Sequence, residues 1–264
     1  MVSTPHPKAF ILLACDDAPM IFSRLDWQRE GDGNRVGGVG AQLLEGTYEP
    51  DTAQILRALV LARRDQKGDG VRVLDCGAHV GAVLVPLAKF MTGWGEIIGI
   101  EAQERLFYAL AGNIALNNLW NAHAICGAVA DRLGFLEAPV VDYTVPTNLG
   151  GISLIPSNNV DHFNQKLDRC IPVTALTIDC MRLPRLDVIK IDVEGMELQV
   201  LKGAENTIQR DKPFMVIEWI KVEGGVDAIK DELPGYRCEP IGMDVLAIPA
   251  DNPLWDNIVV KADA

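Results

Sequence analysis

The chain has 264 residues and a formal net charge of −12 at pH 7, and this length suits one large α/β domain with small additions. Contacts to nucleic-acid phosphates need a basic face, so the acidic balance argues against a nucleic-acid partner. Apolar residues make up 48% and charged residues 23% of the chain, as in ordinary globular proteins. No apolar run approaches the length of a membrane span.

Six cysteines without a C-x-x-C pair predict reduced, partly buried thiols in a cytoplasmic protein. The sequence Leu-Leu-Ala-Cys that ends at Cys15 resembles a lipoprotein cleavage site. However, the apolar segment 9–14 is shorter than the roughly 7–15 residues of a signal-peptide core. We therefore interpret this segment as a β-strand.

Residues 1–45 are predicted to form an N-terminal extension made of a hairpin and a loop. Segments 8–15 and 20–27 have strand composition and flank the turn sequence Asp-Asp-Ala-Pro. Residues 28–41 are rich in glycine and polar residues, which predicts a loop. Tyr48 and Glu49 then precede a helix that starts near residue 51, and they are interpreted either as a helix entry or as a ligand contact.

Residues 46–264 alternate between strand and helix patterns and predict an α/β domain with a doubly wound, mostly parallel sheet and helices on both faces. An insertion at about 132–180 interrupts this alternation and contains extended pieces at 134–139, 151–155 and 170–178. The five parallel strands are predicted at 71–76, 96–101, 123–129, 187–192 and 214–219, and an antiparallel pair at 235–248 closes the sheet. The helices between them are predicted at 80–92, 104–117, about 198–208 and 222–233, the first with a kink at Pro86.

The first of these strands leads into the pattern D-x-G-x-x-x-G, from Asp75 through Gly77 to Gly81. Position 79 is histidine, so the dinucleotide fingerprint G-x-G-x-x-G is absent. A carboxylate beside the first glycine repels a pyrophosphate and suits a ligand with an ammonium or sulfonium group. The next strand ends at Glu101, whose carboxylate can accept both hydroxyls of a ribose. A cationic amino-acid end and a ribose together describe S-adenosylmethionine.

Several segments in the order found here resemble the FkbM family of class I methyltransferases over about residues 45–250. They are Val-Leu-Asp-Cys-Gly-Ala-His-Val-Gly (73–81), Gly-Ile-Glu-Ala (99–102), Asn113 with Asn117, Asn-Leu-Gly-Gly-Ile-Ser-Leu (148–154), Asp-Val-Ile-Lys-Ile-Asp-Val-Glu-Gly-Met-Glu-Leu (187–198), Val-Leu-Lys-Gly-Ala (200–204) and Ile-Glu-Trp (217–219). The resemblance implies a Rossmann-like fold that binds its ligands at the carboxyl ends of the strands.

The resemblance also assigns residues to S-adenosylmethionine. Asp75 would hold the amino group and Glu101 the ribose. The remaining candidates are Gly77, Ala78, His79 and Gly81, whose backbone would approach the methionine part, and Ala102, Gln103, Gly127 and Ala128, which would flank the adenine. His79 stands where the family most often has asparagine, so a purely structural role is an equal alternative.

Three carboxylates are predicted near the acceptor: Asp192, Glu194 and Glu218, at the carboxyl ends of the fourth and fifth strands. An alcohol attacks well only when it loses its proton, which a carboxylate base can accept. Alternatively, Glu194 stabilises a helix start and Lys190 pairs with a neighbouring acid. Such carboxylates can also hold a hard cation, but no metal-ligand spacing requires one and no metal is predicted.

The expected function is S-adenosylmethionine-dependent O-methylation of a hydroxyl on a sugar, glycolipid or natural product, as the family resemblance implies. The expected partners are this small-molecule or glycan acceptor and, in a homodimer, a second copy of the chain. Two alternatives stay open. A non-catalytic cofactor-binding or assembly protein would keep the cofactor half of the site, and a nicotinamide-dependent oxidoreductase would need the glycine pattern that is absent here.

Overall fold

The computed structural model describes residues 8–29, 35–155 and 165–257. Its strands, in chain order, are β1 (Phe10–Ala14), β2 (Pro19–Ser23), β3 (Gln28–Arg29), β4 (Arg35–Val36), β5 (Val71–Cys76), β6 (Gly95–Glu101), β7 (Ala122–Cys126), β8 (Ala128–Val129), β9 (Gly134–Pro139), β10 (Cys170–Leu176), β11 (Val188–Ile191), β12 (Phe214–Glu218), β13 (Tyr236–Ile241) and β14 (Asp244–Pro249).

Seven α-helices connect these strands within the described ranges. They are α1 (Val39–Glu45), α2 (Pro50–Lys67), α3 (Leu84–Phe90), α4 (Glu104–Leu116), α5 (Glu197–Lys202), α6 (Glu205–Asp211) and α7 (Gly225–Glu232). None of these helices is both long and apolar enough to cross a membrane.

A seven-stranded sheet in the order β13-β14-β12-β11-β5-β6-β7 forms the centre of the molecule. The five strands from β12 to β7 are parallel, while β14 runs antiparallel to both β12 and β13. The predicted fold class is therefore confirmed, including the antiparallel pair at the carboxyl end. Because β5 lies between β6 and β11, the carboxyl ends of these three strands meet at one edge of the sheet.

Alternate residues of the central strands supply the cores on the two faces of the sheet. Val73, Val188 and Phe214 face a core that also contains residues of α2, α3 and α4. Their neighbours Leu74 and Ile189 face the opposite core, with residues of α5, α6 and α7. This burial on both faces explains the continuous apolar runs that identified the parallel strands.

The predicted N-terminal hairpin is confirmed as the antiparallel pair of β1 and β2, and it packs against α4. The Asn113 side-chain amide donates hydrogen bonds to the carbonyl oxygens of Ile21 and Val80 and accepts one from the Ile21 N–H. Met20 and Phe22 are buried in the main core. One buried amide therefore ties the extension to the turn that follows β5.

The stretch 28–41, predicted as a loop, contains β3, β4 and the start of α1, so the prediction was wrong for those residues. Helix α1 is held against the segment after β2, because the Gly40 N–H donates a 3.0 Å hydrogen bond to Asp26 Oδ2. A β-carbon at Gly40 would lie 2.1 Å from the Ser23 carbonyl oxygen, so only glycine fits this contact. Residues 30–34 lie outside the described ranges.

The helix predicted at 80–92 begins only at Leu84. His79 and Gly81 have φ angles of 51° and 84°, and such left-handed residues cannot belong to a right-handed helix. Pro86 consequently falls in the first turn of α3, where backbone N–H groups need no partner within the helix. The predicted kink at this proline is therefore not required.

Two other elements differ from their predictions. The strand predicted at 123–129 divides at Gly127 into β7, in the central sheet, and β8, which joins β9 and β10 in a separate three-stranded sheet. The helix predicted after β11 divides into α5 and α6. In the insertion, the extended pieces at 134–139 and 170–178 correspond to β9 and β10. The piece at 151–155 forms no strand in the described chain, and residues 156–164 of the insertion lie outside it.

Candidate active site

A cavity of about 320 Å³ opens at the carboxyl edge of the central sheet, a size typical of small-ligand sites. All the predicted site residues except Gly81 line it. The wall carries one lysine, Lys190, and six carboxylates: Glu49, Asp75, Glu101, Asp192, Glu194 and Glu218. The cavity is therefore strongly acidic and favours a ligand with positive charge.

Asp75 and Lys190 lie opposite each other on the neighbouring strands β5 and β11. The Lys190 ammonium donates a 2.7 Å hydrogen bond to Asp192 Oδ2, which confirms the expected pairing of this lysine with an acid. Asp75 is 2% exposed, and its Oδ1 has no hydrogen-bond partner among the described residues. Burial raises the pKa of Asp75 to about 6. An unsatisfied buried acceptor at a cavity wall fits a ligand that donates hydrogen bonds.

Glu101 is held at the end of β6 by two backbone groups. The N–H groups of His79 and Gln103 donate to its two oxygens at 2.9 and 2.7 Å. Burial nevertheless raises the pKa of Glu101 to about 7. Because each carboxylate oxygen has a second lone pair, Glu101 can still accept hydrogen bonds from a ligand in the cavity.

The turn after β5 brings Gly77 against the backbone of the neighbouring strand end. Its φ is 85°, and a β-carbon there would lie 1.8 Å from the Asp192 carbonyl oxygen. The N–H groups of Gly77 and Ala78 both donate to the Ile100 carbonyl. Gly81 contacts α4 instead of the cavity, since a β-carbon on it would lie 2.8 Å from Leu110 Cδ1.

We expect Gly77→Ala to destabilise the fold by at least about 2 kcal/mol more than Gly70→Ala in urea unfolding. Both glycines have left-handed φ angles, 85° and 84°, so both variants carry the same backbone penalty of about 1–2 kcal/mol. A β-carbon at Gly70 meets nothing within 4 Å, whereas at Gly77 it must displace backbone. Equal losses in the two variants would contradict this account of the turn.

The side of the cavity predicted for adenine is formed by Ala102, Gln103, Gly127 and Ala128. The Gln103 amide donates to the Leu149 carbonyl at 2.8 Å and accepts from the Tyr143 hydroxyl at 3.2 Å. Its side chain therefore fixes the segment 143–149 over this end of the cavity, a role that the sequence analysis missed.

His79 lies against Asp26, with its Nε2 3.4 Å from Asp26 Oδ2 but without hydrogen-bond geometry. Burial lowers the pKa of His79, so the ring is neutral at neutral pH. Asp26 also accepts N–H groups from Gly40 and Leu149, and it thereby joins three separate segments at the cavity rim. No local pattern marked Asp26, because its partners are distant in sequence.

Asp192, Glu194 and Glu218 converge at the other end of the cavity. One oxygen from each lies within 4.8 Å of the others. Burial and the charge of Asp192 raise the pKa of Glu194 to about 7 and that of Glu218 to about 9. Three carboxylates at this spacing can hold a hard cation, but Lys190 and Lys221 already bind two of them. The absence of a metal stays a prediction.

The loop that presents Glu194 is fixed from several sides. Glu194 has a left-handed φ of 58°, a conformation that costs a non-glycine residue about 1–3 kcal/mol. Glu197 Oε1 accepts the N–H groups of Val193 and Gly195. The Ser153 hydroxyl donates to the Glu194 carbonyl, and Lys221 binds its carboxylate. Strain that is this well supported is typical of a functional position.

Several cavity residues were not assigned a role from the sequence. The motif 148–154 was quoted only as part of a resemblance, yet Asn148, Gly150, Gly151, Ile152 and Leu154 line the wall. Residues of the presumed loop 28–41 and of α1 line it as well, namely Gly37, Gly38, Val39 and Gln42. Such contacts arise from tertiary packing, which local patterns do not encode.

A family model described as the methyltransferase FkbM domain matches residues 75–238, more than half of the chain. No curated protein sequence matches. Among solved structures, the methyltransferase FkbM from Methylobacillus flagellatus KT is 17% identical with a TM-score of 0.49; the alignment covers 68% of this chain and 44% of that one. This chain thus spans less than half the length of that protein.

Two further solved structures are similar at lower TM-scores. The precorrin-6y C5,15-methyltransferase from Geobacter metallireducens GS-15 is 12% identical with a TM-score of 0.45, over 76% of this chain and 90% of that one. A putative O-methyltransferase from Klebsiella pneumoniae is 12% identical with a TM-score of 0.44, over 76% and 81%. The family match itself runs from Asp75 to β13 and includes Glu101, Asp192 and Glu218, so the chain belongs to the FkbM methyltransferase family.

Proposed function

We propose that the protein transfers a methyl group from S-adenosylmethionine to a hydroxyl of a sugar, glycolipid or natural product. The acidic cavity is the observation that carries this proposal. Six carboxylates and one lysine on its wall suit a ligand with ammonium and sulfonium groups. A wall this rich in acidic side chains and poor in cations disfavours the pyrophosphate of a nicotinamide cofactor, which needs N–H donors or cations.

The residues present fit this cofactor. Asp75, with its unpartnered Oδ1, would accept hydrogen bonds from the amino group. Glu101 would accept from the ribose hydroxyls, and its hydrogen bonds to His79 and Gln103 would hold it in place. The backbone of Gly77 and Ala78 and the ring of His79 would bound the methionine part. Ala102, Gly127 and Ala128, which are small, would leave room for adenine.

The acceptor would lie at the end formed by Asp192, Glu194 and Glu218. When bound, S-adenosylmethionine would supply an electrophilic methyl group, whose bond to sulfur breaks in the transfer so that S-adenosylhomocysteine leaves. Asp192 would accept the proton of the acceptor hydroxyl as its oxygen bonds to the methyl carbon. Lys190, bound to Asp192 Oδ2, would hold that carboxylate in a fixed orientation. Glu218, with its pKa near 9, would be protonated in the free protein and would donate a hydrogen bond to the acceptor. We expect anionic acceptors to bind poorly here.

Calorimetric titration with S-adenosylhomocysteine tests the cofactor assignment. The wild type is expected to bind one equivalent with micromolar affinity, and Glu101→Ala to weaken binding by at least about tenfold, which corresponds to about 1.4 kcal/mol. The matched control is Glu104→Ala, which removes an exposed carboxylate at the start of α4 and should bind like the wild type. Folded wild-type protein that binds no S-adenosylhomocysteine would overturn the proposal.

A further inference from the structure

Glu49 enters the cavity from a strained backbone position directly before α2. Its φ and ψ are 40° and 63°, the left-handed region that side chains other than glycine, asparagine and aspartate seldom adopt. The Gln42 side-chain oxygen accepts the Glu49 N–H at 3.3 Å, and the helix begins at the next residue, Pro50. This backbone arrangement turns the Glu49 side chain onto the cavity wall.

The negative charge of Glu49 influences titratable groups on three strands of the central sheet. Its carboxylate is among the charges that raise the pKa values of Asp75, Lys190 and Asp244, although burial is the largest influence on each of them. These three residues lie on β5, β11 and β14. Glu49 therefore lies in the part of the cavity that also holds Asp75 and Lys190.

Within that region the described residues supply too little positive charge. Lys190 is the one lysine on the cavity wall, and its ammonium already binds Asp192. Six carboxylates share this wall with that one ammonium, and two of them are Asp75 and Glu49. A cation placed between them would be attracted by both carboxylates, with little screening because the cavity is partly closed to water.

We propose that Glu49 is a further cofactor-binding residue, whose carboxylate acts together with Asp75 to stabilise the positively charged sulfonium of S-adenosylmethionine. This inference rests on the proposed function. It predicts different effects on the affinities for the two ligands, because the sulfonium charge exists in S-adenosylmethionine and is absent from S-adenosylhomocysteine. Glu49 should therefore favour the substrate over the product and help the product to leave after transfer.

The test compares the dissociation constants of S-adenosylmethionine and S-adenosylhomocysteine, measured by calorimetry for the wild type and for Glu49→Gln. We expect the variant to bind S-adenosylmethionine about tenfold more weakly, as for the loss of one close charge, and S-adenosylhomocysteine within about threefold of the wild type. A merely structural role would weaken both ligands together and leave their ratio unchanged.

Two further variants keep the test decisive. Glu49→Asn removes the same charge and suits the left-handed backbone better, so it should fold at least as well and lose the same preference. Asp51→Asn removes an exposed carboxylate in the first turn of α2 and should preserve the wild-type ratio. An unchanged ratio in both Glu49 variants would overturn the role of Glu49 alone. Wild-type protein that binds neither ligand would overturn the proposed function, and this inference with it.

Discussion

Asp192→Asn is expected to lower the rate of methyl transfer by about 10²–10⁴-fold, the usual contribution of a general base. The change removes the proton acceptor that we place beside the acceptor hydroxyl while keeping the size of the side chain. The asparagine oxygen can still accept the hydrogen bond from Lys190, which in the native protein measures 2.7 Å. Affinity for S-adenosylhomocysteine should therefore stay within about threefold of the wild type.

The rate is measured as release of S-adenosylhomocysteine in the presence of any hydroxyl-bearing sugar, glycolipid or alcohol that the wild type methylates. Asp131→Asn serves as the control, because Asp131 is an exposed carboxylate just after β8 and is not on the cavity wall. An Asp192→Asn enzyme that turns over at the wild-type rate would show that another group accepts the proton.

The sheet was predictable because its strands carry their own signal. In β5, β11 and β12 nearly every residue is buried, which produces short apolar runs bounded by glycine and polar residues. The carboxyl-end positions of Asp75, Glu101 and Glu218 follow from the strand boundaries alone. Their meeting at one cavity follows from the parallel order of the strands, a rule of topology.

What could not be predicted depends on contacts between distant segments. The start of α1 is fixed by Asp26, which accepts the Gly40 N–H, and no local propensity shows that bond. The apolar spacing after Gly77 resembled a helix from residue 80, but the left-handed φ angles of His79 and Gly81 delay its start. The Glu101 side chain, 22 residues further along the chain, accepts a hydrogen bond from the His79 N–H. This bond helps to keep the turn after β5 outside helix α3.

In the candidate site, too, some features follow from the local sequence and others depend on contacts between distant segments. Lys190 and Asp192 are two residues apart on β11 and its carboxyl end, so their pairing could be foreseen. Glu194 was interpreted from its position before α5, but its support from Ser153 and Lys221 comes from segments 41 and 27 residues away. The left-handed backbone of Glu49 is likewise set by tertiary structure. Residue type therefore identified the acids, while packing decides which of them are held rigidly.

Replacing Lys190 by methionine is expected to destabilise the protein by about 3–5 kcal/mol near pH 8, the usual cost of leaving a buried charge without its partner. Lys190 is 5% exposed. Burial lowers the pKa of its ammonium, but the carboxylates of Asp192 and Asp75 outweigh burial and raise that pKa above its usual value. Methionine keeps the apolar length of the side chain and leaves the two acids to repel each other.

The pH dependence separates this electrostatic cause from a packing defect. The pKa of Asp75 is already raised to about 6, above its unfolded value of about 3.9, so the folded protein holds the extra proton at low pH and loses stability as pH rises through 6. Removing Lys190 raises the pKa further. The loss of stability caused by Lys190→Met should therefore become smaller toward about pH 5, where protonation of Asp75 relieves its repulsion with Asp192.

Urea unfolding near pH 5 and pH 8 measures both effects, with Lys202→Met as the control. Lys202 pairs with Glu232 at 3.4 Å on the surface of α5, and its side chain is 54% exposed, so its loss should cost less than about 1 kcal/mol. Adding Asp192→Asn to Lys190→Met should recover part of the stability near pH 8, because it removes one of the two repelling charges. If Lys190→Met loses the same stability at both pH values, and the second change restores none of it, then Lys190 acts through packing. The Lys190–Asp192 pair would then lose its electrostatic role in the proposed mechanism.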